Sequence, residues 1–226
     1  MTSAARPPAH GLDRARLYLV SPARLTAGPA VDLIPDLVAA GVDIVQLREK
    51  EMEAGDVVAH AGPLAAACRA AGIPFVVNDR PDIARAVEAD CVHLGTTDLP
   101  VAAARRVLPP DAIVGRSSHV RSDIEDALGG TAGPVDYLAV GPVFETPTKP
   151  GRPAVGLGLI EHAAHRIDIP WFAIGGIDRS NLERVLAAGA RRIVVVRAVT
   201  EASDPPAAAA ELRALLDASW GEPISG

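Results

Sequence analysis

An α/β fold, a single (β/α)8 barrel with eight parallel strands, is predicted by three observations. Short β-branched runs alternate with Ala-rich stretches of helical periodicity, which is the pattern of repeated βα units on a parallel sheet. Eight such runs recur about every 25 residues, enough for a strand, a helix and two short loops. Polar and Gly-rich clusters fall immediately after the strands, while the helix-to-strand connections are short and bland. A doubly wound open sheet gives the same alternation. The placement of the polar clusters decides for the barrel, whose active sites lie at the carboxyl ends of the strands. A length of 226 residues is near the lower end for such a barrel and cramped for two compact domains.

The strands are expected near residues 16–20, 43–47, 74–77, 91–94, 112–116, 137–140, 171–174 and 192–196. Helices between them include 56–71, 100–108, 180–188 and 206–218, with Gly41, Gly72 and Gly189 as C-terminal stops. The barrel domain is expected to span 13–218, and the small, Pro/Gly-containing ends at 1–12 and 219–226 are expected to fray.

Composition excludes several functions. Hydrophobic residues at 49% and charged residues at 22% suit a well-filled core, which Val, Ile, Leu and Ala must build because aromatics are only 3%. A net charge of -6 argues against a general nucleic-acid binder, so an anionic ligand must be caught by a local basic cluster. Two cysteines, Cys68 and Cys91, are too few for a disulfide framework or a thiolate metal site and are expected to be reduced and buried. Residues 1–11 hold no continuous apolar region and no window reaches membrane-spanning length, so a cytoplasmic location without a membrane partner is expected.

The strand ends carry the chemistry in order. After the second strand stands Gln46-Leu47-Arg48-Glu49-Lys50, where alternation puts Gln46, Arg48 and Lys50 on one side. That pattern fits either a diphosphate clamp or a solvated charged loop. After the third and fourth strands stand Asn78-Asp79 and Asp98. Each aspartate alone reads as a helix cap, but two carboxylates on adjacent strand ends beside cations point to magnesium. The fifth strand ends in Arg116-Ser117-Ser118-His119, whose hydroxyls suit phosphate oxygens or a ring nitrogen. The sixth runs into a loop reaching about Gly158, in which Thr146-Pro147-Thr148-Lys149 gathers two hydroxyls and a cation. The seventh ends in Gly175-Gly176 and the eighth in Val196-Arg197, where barrels commonly hold a phosphate on backbone N–H groups.

These residues closely resemble the thiamine-phosphate synthase (thiamine-phosphate pyrophosphorylase) family of phosphate-binding TIM barrels, over about residues 16–200. The matching motifs occur in family order: QLREK at 46–50, ND at 78–79, HLG followed by Asp98, Ser117-Ser118-His119, GPVFETPTK at 141–149 and IGGI at 174–177. The resemblance implies that a pyrimidine diphosphate, 4-amino-5-hydroxymethyl-2-methylpyrimidine diphosphate, is bound by Gln46, Leu47, Arg48, Glu49, Lys50, Asn78, Ser117 and Lys149. It implies magnesium on Asp79 and Asp98, and a thiazole phosphate on Thr146, Pro147, Thr148, Gly176, Val196 and Arg197. Two positions depart from the family pattern. Arg116 stands where an apolar residue is common and Arg197 where serine is common. The Arg197 guanidinium either contacts phosphate directly or points away, leaving only its N–H to bind.

The implied reaction is an alkyl transfer at the pyrimidine methylene that releases diphosphate and forms thiamine phosphate. Charge building on the leaving group would be met by Mg2+, Arg48, Lys50 and Lys149, with Ser117 beside them and no covalent nucleophile. The partners implied are small-molecule substrates, with a homo-oligomer left open and no nucleic acid or membrane. Two rivals stand beside it: a thiazole tautomerase on the same barrel, which needs no diphosphate clamp, and a non-catalytic thiamine-phosphate-binding protein. The set of Gln46, Arg48, Lys50, Asp79 and Asp98 argues against the first, and nothing in the sequence marks an attached effector module for the second.

Overall fold

Eight parallel strands close on themselves in a computed structural model that describes residues 11–25, 27–129, 133–146 and 153–219. They are β1 (Leu17–Ser21), β2 (Ile44–Leu47), β3 (Phe75–Asn78), β4 (Cys91–Leu94), β5 (Ile113–Ser118), β6 (Tyr137–Val140), β7 (Trp171–Ile174) and β8 (Ile193–Val195). Each pairs with the next in sequence, and Leu17 beside Ile193 closes the ring. The helices are α1 (Ala30–Ala39), α2 (Ala54–Ala71), α3 (Pro81–Ala86), α4 (Val101–Val107), α5 (Arg121–Leu128), α6 (Leu157–Arg166), α7 (Leu182–Ala187), α8 (Arg197–Thr200) and α9 (Pro205–Ala218). The (β/α)8 barrel expected from the alternation is the fold observed.

Parity along each strand splits the core in two. Outward residues such as Leu17, Val45, Val77 and Val114 pack under the helices, and inward ones such as Tyr18, Ile44, Val76 and Phe172 fill the barrel. The expected stops Gly41, Gly72 and Gly189 all take left-handed φ, at 98°, 74° and 97°. A side chain there would be strained, so glycine ends each helix and frees the chain to enter the next strand. The buried cysteines are free thiols, and burial, with Asp90 adding to it, pushes Cys68 up to about 12. Among the described residues no helix is long and apolar enough to cross a membrane.

Two boundaries correct the sequence reading. Fraying was expected through residue 12, yet Leu12 and Ala15 are buried against Tyr18, Ile44 and Val194, because the amino-end mouth of the barrel needs an apolar plug. Arg197 was expected at the end of the eighth strand but opens α8. The β7 ladder pairs no further than Ile174 with Val194, and the backbone turns at Val196 (φ -125°, ψ -93°).

The amino end is also closed by ions. Asp43 accepts hydrogen bonds from the N–H of Arg16 (2.7 Å) and of Leu17 (3.0 Å), and Arg213 of α9 reaches it at 3.1 Å. The last helix is thereby tied to β1 and β2, leaving the carboxyl-end mouth to chemistry.

Candidate active site

The wall formed by β2, β3 and β4 is built from charged side chains. Gln46 is buried inside the barrel, and Arg48 lines the mouth just above it with Asn78. Lys50 reaches across to Asp79, its Nζ 2.9 Å from Oδ2. Asp79 sits at φ 62°, a left-handed conformation uncommon for a residue with a Cβ, which places its carboxyl group against that of Asp98. Asp98 is anchored by the N–H of Gly95 at 2.7 Å. Neither aspartate caps a helix, because the caps of α3 and α4 are Arg80 and Pro100. The alternative reading of both as caps is therefore set aside.

The two carboxyl groups push each other's titration apart. Burial, and then the hydrogen bond with Asp98, raises Asp79 above the ordinary carboxylate range despite Lys50. Asp98 is also desolvated, but the hydrogen bonds from Asp79 and Gly95, with Lys50 and His93 nearby, hold it below that range.

Leu47 and Glu49, expected in the substrate-binding run, are turned elsewhere. The alternation that sends Gln46 inward sends Leu47 into the outer core, at 2% exposure, so only its backbone remains for a ligand. The Glu49 carboxylate accepts from the N–H of Ala23 at 2.7 Å, tying the β1 loop to this wall.

The facing wall, from β6 to β8, presents backbone. A cavity of about 280 Å3 is lined there by Ser117, His119, Gly141, Thr146, Gly176 and Arg197, among others. Glycine is required by contact. A Cβ at Gly141 would lie 1.9 Å from the Ile174 carbonyl oxygen, and one at Gly175 would lie 2.4 Å from Pro142. The N–H groups of Val143 and Phe144 donate to the carbonyls of Ile174 and Gly175, pressing the β6 loop onto the end of β7. Below them α8 begins at Arg197, and the leading N–H groups of a helix have no partner within it. The Arg197 guanidinium lies 3.6 Å from Glu201 one turn along. His119 is held by its N–H on the Asp123 carboxylate and its Nδ1 on the Gly141 carbonyl.

A narrower cavity of about 50 Å3 lies between Gln46, Arg48, Asn78, His93 and Ser117, and it shares Ser117, Ile174, Val194 and Val196 with the larger one. The two chambers thus meet at Ser117 over the barrel interior. Pro147, Thr148 and Lys149, expected at this mouth, lie outside the described residues. Tyr18 and His93 line the narrower chamber and were missed as site residues, although for the first a tyrosine inside a strand of so aromatic-poor a chain was the available signal. Val196 lines both chambers.

Residues 17–199 match the family described as thiamine monophosphate synthase. The chain belongs to that family. Similar members include the thiamine-phosphate synthase of Streptomyces avermitilis, 53% identical over 198 residues, covering 87% of this chain and 91% of its own. That of Thermobifida fusca is 51% identical over 209 residues, with 92% and 95% covered. Among solved structures, thiamine phosphate pyrophosphorylase from Pyrococcus furiosus superposes with a TM-score of 0.81 at 31% identity, covering 93% of this chain and 99% of its own. A 3-hexulose-6-phosphate synthase, 21% identical with a TM-score of 0.62, shares the fold alone.

Proposed function

We propose that the chain is a thiamine-phosphate synthase, an alkyl-transferring transferase. It joins 4-amino-5-hydroxymethyl-2-methylpyrimidine diphosphate to 4-methyl-5-(2-phosphoethyl)thiazole and releases diphosphate. The observation that carries this reading is one mouth with two unlike anion walls, Arg48, Lys50, Asp79 and Asp98 facing Gly141, Gly175 and Gly176. The name borne by relatives about half identical in sequence supports it. Its partners in this reading are small molecules and its place is the cytoplasm.

Asp79 and Asp98 are the residues that would hold magnesium. They fit the ion, since two carboxyl groups in contact, Asp79 raised by burial and by its neighbour and Asp98 held low, gain from a divalent cation. No group of three or more His, Cys, Asp or Glu side chains gathers among the described residues, so water and diphosphate oxygens would complete the set. When bound, the metal offsets charge on the departing diphosphate. Arg48 and Lys50 stand where the same charge develops, and Lys149 is expected to join them.

In the reaction the bond from the pyrimidine methylene to the diphosphate oxygen breaks, and its electron pair leaves with diphosphate. The thiazole nitrogen then bonds to the methylene carbon. The thiazole phosphate, held at Gly176 and the first N–H groups of α8, keeps that nitrogen in line, so binding replaces a collision.

The test supplies both substrates and magnesium and follows diphosphate and thiamine phosphate. Formation of product that needs both substrates and is abolished by EDTA is expected. A change in the thiazole without diphosphate release would overturn the reading in favour of a tautomerase.

A further inference from the structure

Five polar side chains are strung across the barrel interior, and only the two at the ends are expected from the sequence to meet a substrate. Gln46 Nε2 donates to Tyr18 Oη, which lies 3.1 Å from Tyr137 Oη. Tyr137 Oη lies 3.0 Å from His93 Nδ1, and His93 Nε2 lies 3.0 Å from Ser117 Oγ. All five residues are buried. Both of the chain's 2 tyrosines are spent here, where Leu or Phe would fill the same volume without a polar atom to satisfy.

The packing holds the string in place. Phe172 stands edge-on to both phenol rings, at 5.5 and 5.8 Å between centroids. Gly115 opens the space that Tyr137 occupies, since a Cβ there would come within 2.0 Å of its ring. The interior is shaped around the hydroxyls rather than merely filled.

Hydrogen-bond chemistry gives the string a direction. An amide nitrogen only donates, so the Tyr18 oxygen accepts from Gln46, and a Tyr18 proton handed on to Tyr137 is the one arrangement that would give every hydroxyl of the string an acceptor. Burial, above all, raises the titration of both phenols, so each stays neutral with one proton to give. Tyr137 then donates to His93 Nδ1, which puts the imidazole proton on Nε2, facing Ser117. Ser117 accepts, and its own proton is left to point into the cavity. At the other end Gln46 gives one N–H to Tyr18, which fixes the amide and presents its carbonyl oxygen and its second N–H.

We propose that Tyr18, Tyr137 and His93 are positioning residues that hold Gln46 as an acceptor and Ser117 as a donor toward the aminopyrimidine ring. An aminopyrimidine carries N–H donors and ring-nitrogen acceptors, which is the complement of that pair. The inference rests on the synthase reading, and it adds three residues that act through Gln46 and Ser117, Tyr18 and His93 at the wall of the narrower chamber and Tyr137 behind it.

The test compares Tyr18→Phe, Tyr137→Phe and the double variant in steady-state kinetics, with thermal denaturation alongside. Each single change is expected to lower kcat/KM for the pyrimidine diphosphate about tenfold while leaving KM for the thiazole phosphate within about twofold. The double variant should lose no more than the worse single one, because a string broken once is already broken. Losses that multiply, or that fall equally on both substrates, would overturn the proposal. Nitrogen-15 NMR of the labelled full chain, with His93 assigned through His93→Gln, reads the direction without any turnover. Protonated Nε2 and bare Nδ1 are expected, and a proton on Nδ1 instead would sink the one-way string. If the wild-type chain makes no thiamine phosphate, the synthase reading falls while the nitrogen spectrum still decides the direction.

Discussion

The two walls of the mouth offer opposite surfaces to the anions of the proposed reaction. Between β2 and β4 the work is given to long side chains, with Arg48 beside the cavity and Lys50 clasping Asp79. Between β6 and β8 it is given to bare backbone, where Gly141 and Gly175 sit so close to Ile174 and Pro142 that no Cβ fits. A side chain can be removed from the first wall and leave the fold standing. On the second wall the binding surface and the fold are the same atoms, so a change that harms one harms both.

Four experiments break or sharpen that contrast. The largest effect is expected for Arg48→Ala, a fall in kcat of about 100- to 1000-fold with little change in melting temperature, since such a group stabilises charge on the leaving diphosphate. A melting temperature that falls with activity would erase the distinction between the walls. Gly175→Ala should instead lower stability by about 3 kcal/mol in urea titrations, because the new methyl meets Pro142 at 2.4 Å and the φ of 107° strains any side chain. Asp79→Ala is expected to raise the magnesium concentration for half-maximal activity at least about tenfold, through loss of a carboxylate ligand. An unchanged metal dependence would remove Asp79 from the metal assignment. The smallest effect is expected for Arg197→Ala. With the guanidinium turned to Glu201, the KM for thiazole phosphate should change by less than about threefold, as for an exposed ion pair. A larger, thiazole-specific loss would show that the side chain swings to the phosphate and that the backbone wall borrows a charge after all.

The difference between the walls also explains what could be read in advance. Arg48, Lys50, Asp79 and Asp98 announce themselves because charged residues at successive strand ends are chemically distinctive wherever the chain places them. Leu47 and Glu49 share the same run and are turned away, one by strand parity and the other by the Ala23 N–H. Neither outcome is visible to a motif. The glycine wall is legible only as glycine, since the reason for Gly141 is a carbonyl on β7, more than thirty residues away.

Alternation and spacing determined the eight-stranded barrel, its helix stops and the order of the polar strand ends, because period-two and helical patterns are local properties of the chain. The family followed from the same residues, each a short motif in fixed order. Only the closed barrel decided that Tyr18, Tyr137 and His93 line up between Gln46 and Ser117, and that Leu12 plugs the amino end. Those contacts join strands far apart in sequence, and whether an inward hydroxyl finds a partner depends on which side chains the closure brings across from it.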